Sequence, residues 1–351
     1  MLDDLELLAA LDPQGMYDHI AALPKQCSDA WEQGMSAQFP EEMGDVRAVL
    51  IVGMGGSAIG GDLAASLLKG SGKVPVMVER GYDVPAWVDS GTLVIGSSYS
   101  GNTEETLSAF SQAHRKGAKL LAITTGGRLR TLADEFGAPV VKIEYESPPR
   151  GALGYSFSLI LASLAKLGLA PDLSREVTEA VETMDGLQSR IRREVPEDRN
   201  PAKQLARRIF GKMPMVMGGP LLAAVARRWK GQFNENSKTW AQFDELPEWD
   251  HNGILGLKHP KSSVENSFVI YLKAAAEPDR VGLRWKISRG IIESAGVQTY
   301  TFDAPGKSAL AQMLGAVHFG DFVSFYLAAL NGVNPTEMAA IENLKRELAK
   351  R

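Results

Sequence analysis

The sequence predicts an α/β protein made of two tandem subdomains, each a mostly parallel sheet flanked by helices. Two patterns and a length carry that expectation. From Ala48 onward, short apolar runs alternate with glycine turns and helix-like stretches, and the second half loosely repeats the order of the first. At about 150 residues per domain, 351 residues allow two domains with substantial cores. Residues 1–45 show helical spacing at Leu5, Leu8, Ala9, Ile20 and Leu23 and no strand pattern, so they read as helices packed on a later core. Residues 46–170 form the first subdomain. Its expected strands are Ala48–Val52, Val74–Val78, Thr92–Ile95, Lys119–Ile123 and Val140–Ile143, with Gly53–Gly61 a turn and Asp62–Leu68 part of a helix. Residues 171–200 read as a helical connector, centred on a charged helix over Leu173–Arg193. Residues 201–351 form the second subdomain and a C-terminal helix. Here Met215–Met217 with Gly218-Gly219-Pro220 and Leu221–Trp229 echo Val52–Leu68. Phe268–Leu272 echoes Thr92–Ile95, Gln298–Phe302 echoes Leu120–Thr124, and Phe319–Leu330 echoes Tyr155–Leu167.

Composition narrows the function. A net charge of −4 and a pI of about 5.9 offer no basic field for nucleic acid or an anionic membrane. The single cysteine, Cys27, excludes an intramolecular disulfide and a Cys-based zinc site, and no histidine pair has metal-ligand spacing. The first residues, Met1-Leu-Asp-Asp-Leu-Glu-Leu-Leu, are acidic where a signal peptide is basic. The best apolar run, around Phe157–Ala165, is too short to span a bilayer. The expectation is a cytoplasmic enzyme of small molecules.

Two strand ends carry the chemistry. Gly53-Met-Gly55-Gly56-Ser57-Ala58-Ile59-Gly60-Gly61 follows a strand and opens a helix, where close backbone approach and exposed N–H groups favour an anion. The same residues fit the dinucleotide fingerprint, with Glu79 about 20 residues on in the place of a ribose-binding acid. The next strand end favours a phosphate monoester. Ser97-Ser98-Tyr99-Ser100-Gly101-Asn102-Thr103-Glu104-Glu105-Thr106 sets a run of hydroxyls on a loop before a helix, and three phosphate oxygens need several short-range donors. Helix capping would account for one such serine but not for the run.

These two motifs resemble the signature of the sugar isomerase (SIS) domain. Ser147-Pro148-Pro149-Arg150-Gly151-Ala152-Leu153-Gly154, Gly231-Gln232-Phe233-Asn234-Glu235-Asn236-Ser237-Lys238 and Pro247-Glu248-Trp249-Asp250-His251-Asn252 resemble the bifunctional phosphoglucose/phosphomannose isomerases, in order from about residue 48 to the C-terminus. The resemblance implies two SIS subdomains, a homodimer with active sites near the interface, and cofactor-free, metal-free interconversion of fructose 6-phosphate with glucose 6-phosphate and mannose 6-phosphate. It implies that Gly55, Gly56, Ser57, Ser98, Ser100 and Thr103 hold the phosphate and that Arg150, Glu235 and His251 are catalytic. Thr336 and Lys345 would complete the pocket. Two positions depart from the family pattern: Asp250 stands where an asparagine is expected and Gly253 where a glutamate is expected.

The residue types suit the reaction. Isomerisation needs ring opening, a proton moved between C1 and C2, and an enediolate stabilised. A partly desolvated carboxylate suits the carbon proton, an imidazole suits ring opening, and a guanidinium on the stiff-then-flexible Pro-Pro-Arg150-Gly loop suits the developing charge. A glutamate in such a stretch is ordinarily a solvated surface group, so the resemblance is what singles out Glu235. Two other readings compete. One is a non-catalytic sugar-phosphate sensor, which would need no Glu235–His251–Arg150 set; the other is a nicotinamide-dependent enzyme using Gly53–Ala58 and Glu79.

Overall fold

A computed structural model describes residues 1–348 and residue 350. The chain opens with helices α1 (Leu5–Leu11), α2 (Met16–Ala21) and α3 (Leu23–Ser36). Asp4 caps α1 by accepting the Leu7 N–H at 3.0 Å, and Asp12 accepts the N–H groups of Met16 and Tyr17 at the start of α2. Leu8, Met16, Tyr17, Ile20, Cys27 and Trp31 are buried in one apolar core with residues of both sheets, so this segment is a structural part of both halves. Burial pushes the Cys27 thiol up to about 12, which leaves it an inert packing group.

The first sheet holds β1 (Ala48–Val52), β2 (Val76–Glu79), β3 (Thr92–Ser97), β4 (Lys119–Thr124) and β5 (Val140–Lys142), all parallel, in the order β2-β1-β3-β4-β5. Helices α4 (Gly55–Leu68), α5 (Glu104–Arg115), α6 (Gly127–Phe136) and α7 (Leu153–Lys166) flank it. Helix α8 (Ser174–Ile191) follows, and α9 (Pro201–Ile209) leads into the second half. There β6 (Met213–Gly218), β7 (Gln242–Glu245), β8 (Ser267–Lys273) and β9 (Gln298–Asp303) pair in parallel as β7-β6-β8-β9. Helices α10 (Ala223–Glu235), α11 (Lys261–Glu265) and α12 (Asp279–Ser294) lie between them in sequence, and α13 (Ala309–Asn331) and α14 (Ala339–Leu348) follow β9. The two orders correspond as β1/β6, β2/β7, β3/β8 and β4/β9, so the echoes read in the sequence are real topological equivalents.

Four details correct the sequence reading. The glycine-rich stretch is not a turn as far as Gly61, because helix α4 already begins at Gly55. A side chain at Gly61 would meet Ile51 at 3.0 Å and Val78 at 3.1 Å, so that glycine lets the helix lie close on the sheet. Strand β2 starts two residues later than expected, after Pro75, which has no N–H to pair; its carbonyl accepts from Val49 at 2.9 Å. Strand β7 has no counterpart in the expected strands. Gln-Phe-Asp-Glu has one apolar residue, and an edge strand with both faces partly wet needs no more. Finally, the longest apolar helix is α13, not the stretch at Phe157–Ala165. By length and composition α13 could cross a membrane, yet its apolar window lies wholly inside the protein.

Helix α13 also buries His318. Its Nε2 lies 2.8 Å from Gln188 Oε1, its Nδ1 has no partner among the described residues, and burial pushes the ring from 6.5 down to about 3. The unfolded chain takes up this proton below about 6.5 and the folded chain does not. Stability is therefore present above that pH and is lost as pH falls toward about 3. His318→Asn, which cannot titrate, is expected to show a shallower acid-side loss when denaturant midpoints are compared between about pH 7 and about pH 4.

Candidate active site

In the first sheet, β1 connects to one side and β3 begins the other, so the crevice between their carboxyl ends is the topological switch point. Both motif loops end there. The loop after β1 runs into α4, whose first amides, Gly55 and Gly56, have no intrahelical acceptor. A side chain at Gly56 would meet the Pro149 carbonyl at 3.1 Å and Arg150 Cα at 3.4 Å, so the glycine lets the Arg150 loop close over this helix end. The loop after β3 is tied across by the Tyr99 N–H, which donates to Ser57 Oγ at 3.2 Å. Ser98 Oγ and Thr103 Oγ1 lie 3.0 Å apart, and Ser100 Oγ, on the exposed rim, accepts the Asn102 N–H at 3.3 Å. Thr103 stands at the N-cap of α5 but makes no capping bond, so simple helix capping does not explain it.

Tyr99 carries no distinguishing signal in the sequence. Its hydroxyl donates to the Tyr145 carbonyl at 2.6 Å and accepts the Ser147 N–H at 2.8 Å, linking the hydroxyl loop to the segment that carries Arg150. Glu79, the would-be ribose ligand, instead accepts the N–H groups of Arg80 and Gly81 at 2.8 and 2.7 Å.

Arg150 and Glu235 meet over this floor. Gly55, Gly56, Arg150 and Glu235 line one cavity of about 310 Å³. Glu235 is the last residue of α10 and is a third exposed, while the Arg150 side chain is only 3% exposed. Arg150 Nη1 lies 3.4 Å from Glu235 Oε2 and 2.9 Å from Met338 Sδ. Its Nε donates to Asn236 Oδ1 at 2.7 Å, and its Nη2 donates to the carbonyls of Pro335 and Thr336. Nε and Nη2 are thus fixed on strong protein acceptors. Nη1, facing a carboxylate at long range and a thioether, is the edge best able to take a further negative oxygen. Burial pushes the guanidinium's pKa down; the Glu235 charge opposes this and the Arg228 charge adds to it. Lys238, at φ +53°, clamps the Glu235 and Asn334 carbonyls at 2.7 and 2.8 Å. Arg80, Arg227 and Lys230 also line the cavity, and Arg80 and Arg227 both pair with Asp62. None of these cations stands out in the sequence, although the adjacent Arg227-Arg228 after a glycine turn is a legible hint.

Ser57, Ser98, Ser100 and Thr103 gather on the adjoining loops but do not line this cavity, and the other expected residues sit elsewhere in the single chain. His251 is exposed at the end of a short 3₁₀ turn (Glu248–His251) and is absent from the cavity lining. Asp250 does not serve its ring: the carboxylate accepts from Arg284 at 3.0 Å and Ser288 at 2.6 Å. Thr336 reaches Arg150 through its carbonyl, while its hydroxyl is buried without a partner among the described residues. Lys345 is exposed on α14 and does not line the cavity.

A duplicated 2-1-3-4 sheet, with a hydroxyl-rich cradle at the switch point of one copy, defines a protein of two SIS domains. Residues 42–147 match the SIS domain family, and residues 198–348 match the bacterial phospho-glucose isomerase C-terminal SIS domain. The chain is 40% identical over 336 residues to the bifunctional phosphoglucose/phosphomannose isomerase of Caldicellulosiruptor bescii, covering 95% of this chain and 99% of that protein. It is 39% identical over 308 residues to the enzyme of the same name from Aquifex aeolicus, covering 87% and 91% respectively. A solved structure of a hypothetical protein from Thermus thermophilus shares the fold, with a TM-score of 0.74 at 18% identity over 99% of this chain and 94% of that one. The chain belongs to the bifunctional phosphoglucose/phosphomannose isomerase family and is an isomerase.

The second SIS domain shows why only one copy carries the cradle. At the crevice equivalent to the one beside Gly55 and Gly56, Glu277 Oε1 accepts the N–H groups of Leu221 and Leu222 at 2.8 and 3.3 Å, just ahead of α10. The chain's own carboxylate stands where an anion would stand in the first copy. Burial raises its pKa, against the lowering effect of the two N–H bonds. Glu277→Ala is expected to lower unfolding free energy by about 1–2 kcal/mol, and Glu277→Gln, which keeps a carbonyl acceptor, by about half that or less; denaturant titration checks both.

Proposed function

We propose that this isomerase interconverts fructose 6-phosphate with glucose 6-phosphate and mannose 6-phosphate through a cis-enediolate. The supporting observation is that Arg150 and Glu235 lie 3.4 Å apart and share a cavity with the free amides of Gly55 and Gly56. In this scheme Gly55, Gly56, Ser57, Ser98, Ser100 and Thr103 hold the phosphate, which places the open-chain sugar's C1–C2 end toward the second lobe. Glu235 takes the proton from C2 of the aldose, the electron pair moves toward O1 to give the enediolate, the same carboxyl returns the proton to C1, and a proton passes from O2 to O1 to leave the ketose carbonyl at C2. Arg150 Nη1 stabilises the developing charge on the two oxygens. Rotation about C2–C3 before reprotonation presents the other face and gives the mannose epimer. Side chains carry both proton transfers, and turnover is expected to be insensitive to a chelator.

The sensor and dehydrogenase readings gain less support. A regulator would not require the Arg150–Glu235 pair, and Glu79 is already engaged by its own loop.

His251 is assigned to ring opening in the site of a second copy. The same lobe exposes Leu283, Ile287 and Ile291 on one stripe of α12, at 44, 59 and 43%, and Leu255 at 77%. Arg284 and Ser288, on that helix, grip Asp250 beside the histidine. A homodimer covering this apolar stripe would shield it and carry His251 to the partner's cavity.

Two variants test the scheme. Glu235→Gln is expected to lower kcat for both aldose phosphates by about a hundred- to ten-thousand-fold with binding of fructose 6-phosphate retained. Retained turnover would sink the assignment. Glu235→Gln and His251→Ala proteins, each inactive alone, are expected to recover about a quarter of wild-type activity after mixing and subunit exchange, because half the dimers then hold one intact site. A mixture that stays dead, measured in a coupled assay, places His251 in its own chain's site or outside the reaction.

A further inference from the structure

At the wall of the cavity, which Arg150 and Arg228 line, five buried residues form a closed hydrogen-bonded circuit that begins and ends on Arg150. Arg150 Nε donates to Asn236 Oδ1 at 2.7 Å, and Asn236 Nδ2 donates to Ser324 Oγ at 2.9 Å. Ser324 Oγ donates to the Asp321 carbonyl at 2.7 Å. The Asp321 carboxylate accepts Nε and Nη2 of Arg228 at 3.1 and 2.6 Å, and Arg228 Nη2 donates back to the main-chain carbonyl of Arg150 at 3.1 Å. No member is more than 5% exposed. Donor and acceptor roles are fixed around the ring. The Ser324 proton is spent on Asp321, so its oxygen can only accept, which turns the Asn236 amide with its oxygen toward Arg150.

We propose that Asn236, Ser324, Asp321 and Arg228 are positioning residues for the isomerisation, holding the Arg150 guanidinium from its side chain and its main chain at once so that Nη1 stays beside Glu235. The inference rests on the isomerase reading above. A stability role alone accounts poorly for the arrangement, because a buried ion pair is commonly replaced by apolar groups with little loss of stability. Here both ends of the circuit converge on the guanidinium that lies beside Glu235 in the cavity. Asn236 directly follows Glu235, so the same helix end carries the carboxylate and the amide that orients its partner. None of the four belongs to the phosphate floor, which makes the two halves of the site separable by ligand.

Ser324→Ala deletes one hydroxyl, and the isosteric Asp321→Asn removes one charge. Isothermal calorimetry with inorganic phosphate, and with a sugar-phosphate hydroxamate whose two oxygens imitate the enediolate, reads both halves in the intact chain. Each variant is expected to bind phosphate within about twofold of wild type, to lose about tenfold or more in hydroxamate affinity, and to lose kcat about tenfold with KM little changed. Binding stoichiometry reports the folded fraction, so partial unfolding lowers the number of sites without moving either affinity. If hydroxamate affinity is unchanged in both variants, or falls in step with phosphate affinity, the inference is overturned and the isomerase reading stands. If the wild-type protein neither binds the hydroxamate nor turns over fructose 6-phosphate, the isomerase reading falls and takes the inference with it.

Discussion

The site depends on the burial of one permanent charge. Arg150 is nearly excluded from water, and a guanidinium in that setting must be matched on every edge. Its partners come from two places far from it in the chain: the end of α10 and the segment from Pro335 to Met338. Satisfying that ion forces the two SIS domains and the C-terminal segment into one arrangement. The carboxylate of Glu235, which no local feature restrains as strongly, inherits its place from this network.

Duplication supplies the frame and divergence supplies the function. Both halves keep the same strand order, so both present helix amides at a crevice between strand ends. In the first half Gly55 and Gly56 line the cavity that Arg150 and Glu235 share. In the second, Glu277 folds back onto the amides of Leu221 and Leu222, and α10 from that half delivers Glu235 toward the first. One copy leaves the amides at its crevice without a carboxylate on them, and the other covers its own with Glu277 and sends Glu235 toward the first. The Tyr99 hydroxyl then couples the open cradle to the Arg150 loop through Tyr145 and Ser147.

Much of this is legible in the chain. Strands β1, β3, β4 and β8 are largely apolar runs because each is buried on both faces, and such runs announce themselves. Strand β7 stays hidden because an edge strand needs little apolar character. The start of α4 is hard to read because glycines that serve close packing look the same on paper as glycines that serve a turn. The floor residues are readable as hydroxyls after a strand. The role of Asn236, Ser324 and Asp321 is not, since it comes from contacts between residues 78 to 93 positions apart. One trace is present: the single carboxylate in the mostly apolar Ala309–Asn331 stretch is an expensive residue to bury and needs a partner.

The solitary sulfhydryl of α3 has a practical corollary. Because Cys27 is sealed in the core and held in its unreactive form, the native surface is silent toward maleimide and iodoacetamide reagents. A cysteine introduced on either lobe would therefore take a fluorophore or spin label at that one address. Movement of the C-terminal segment against Arg150 during turnover could then be timed without first stripping the protein of competing thiols.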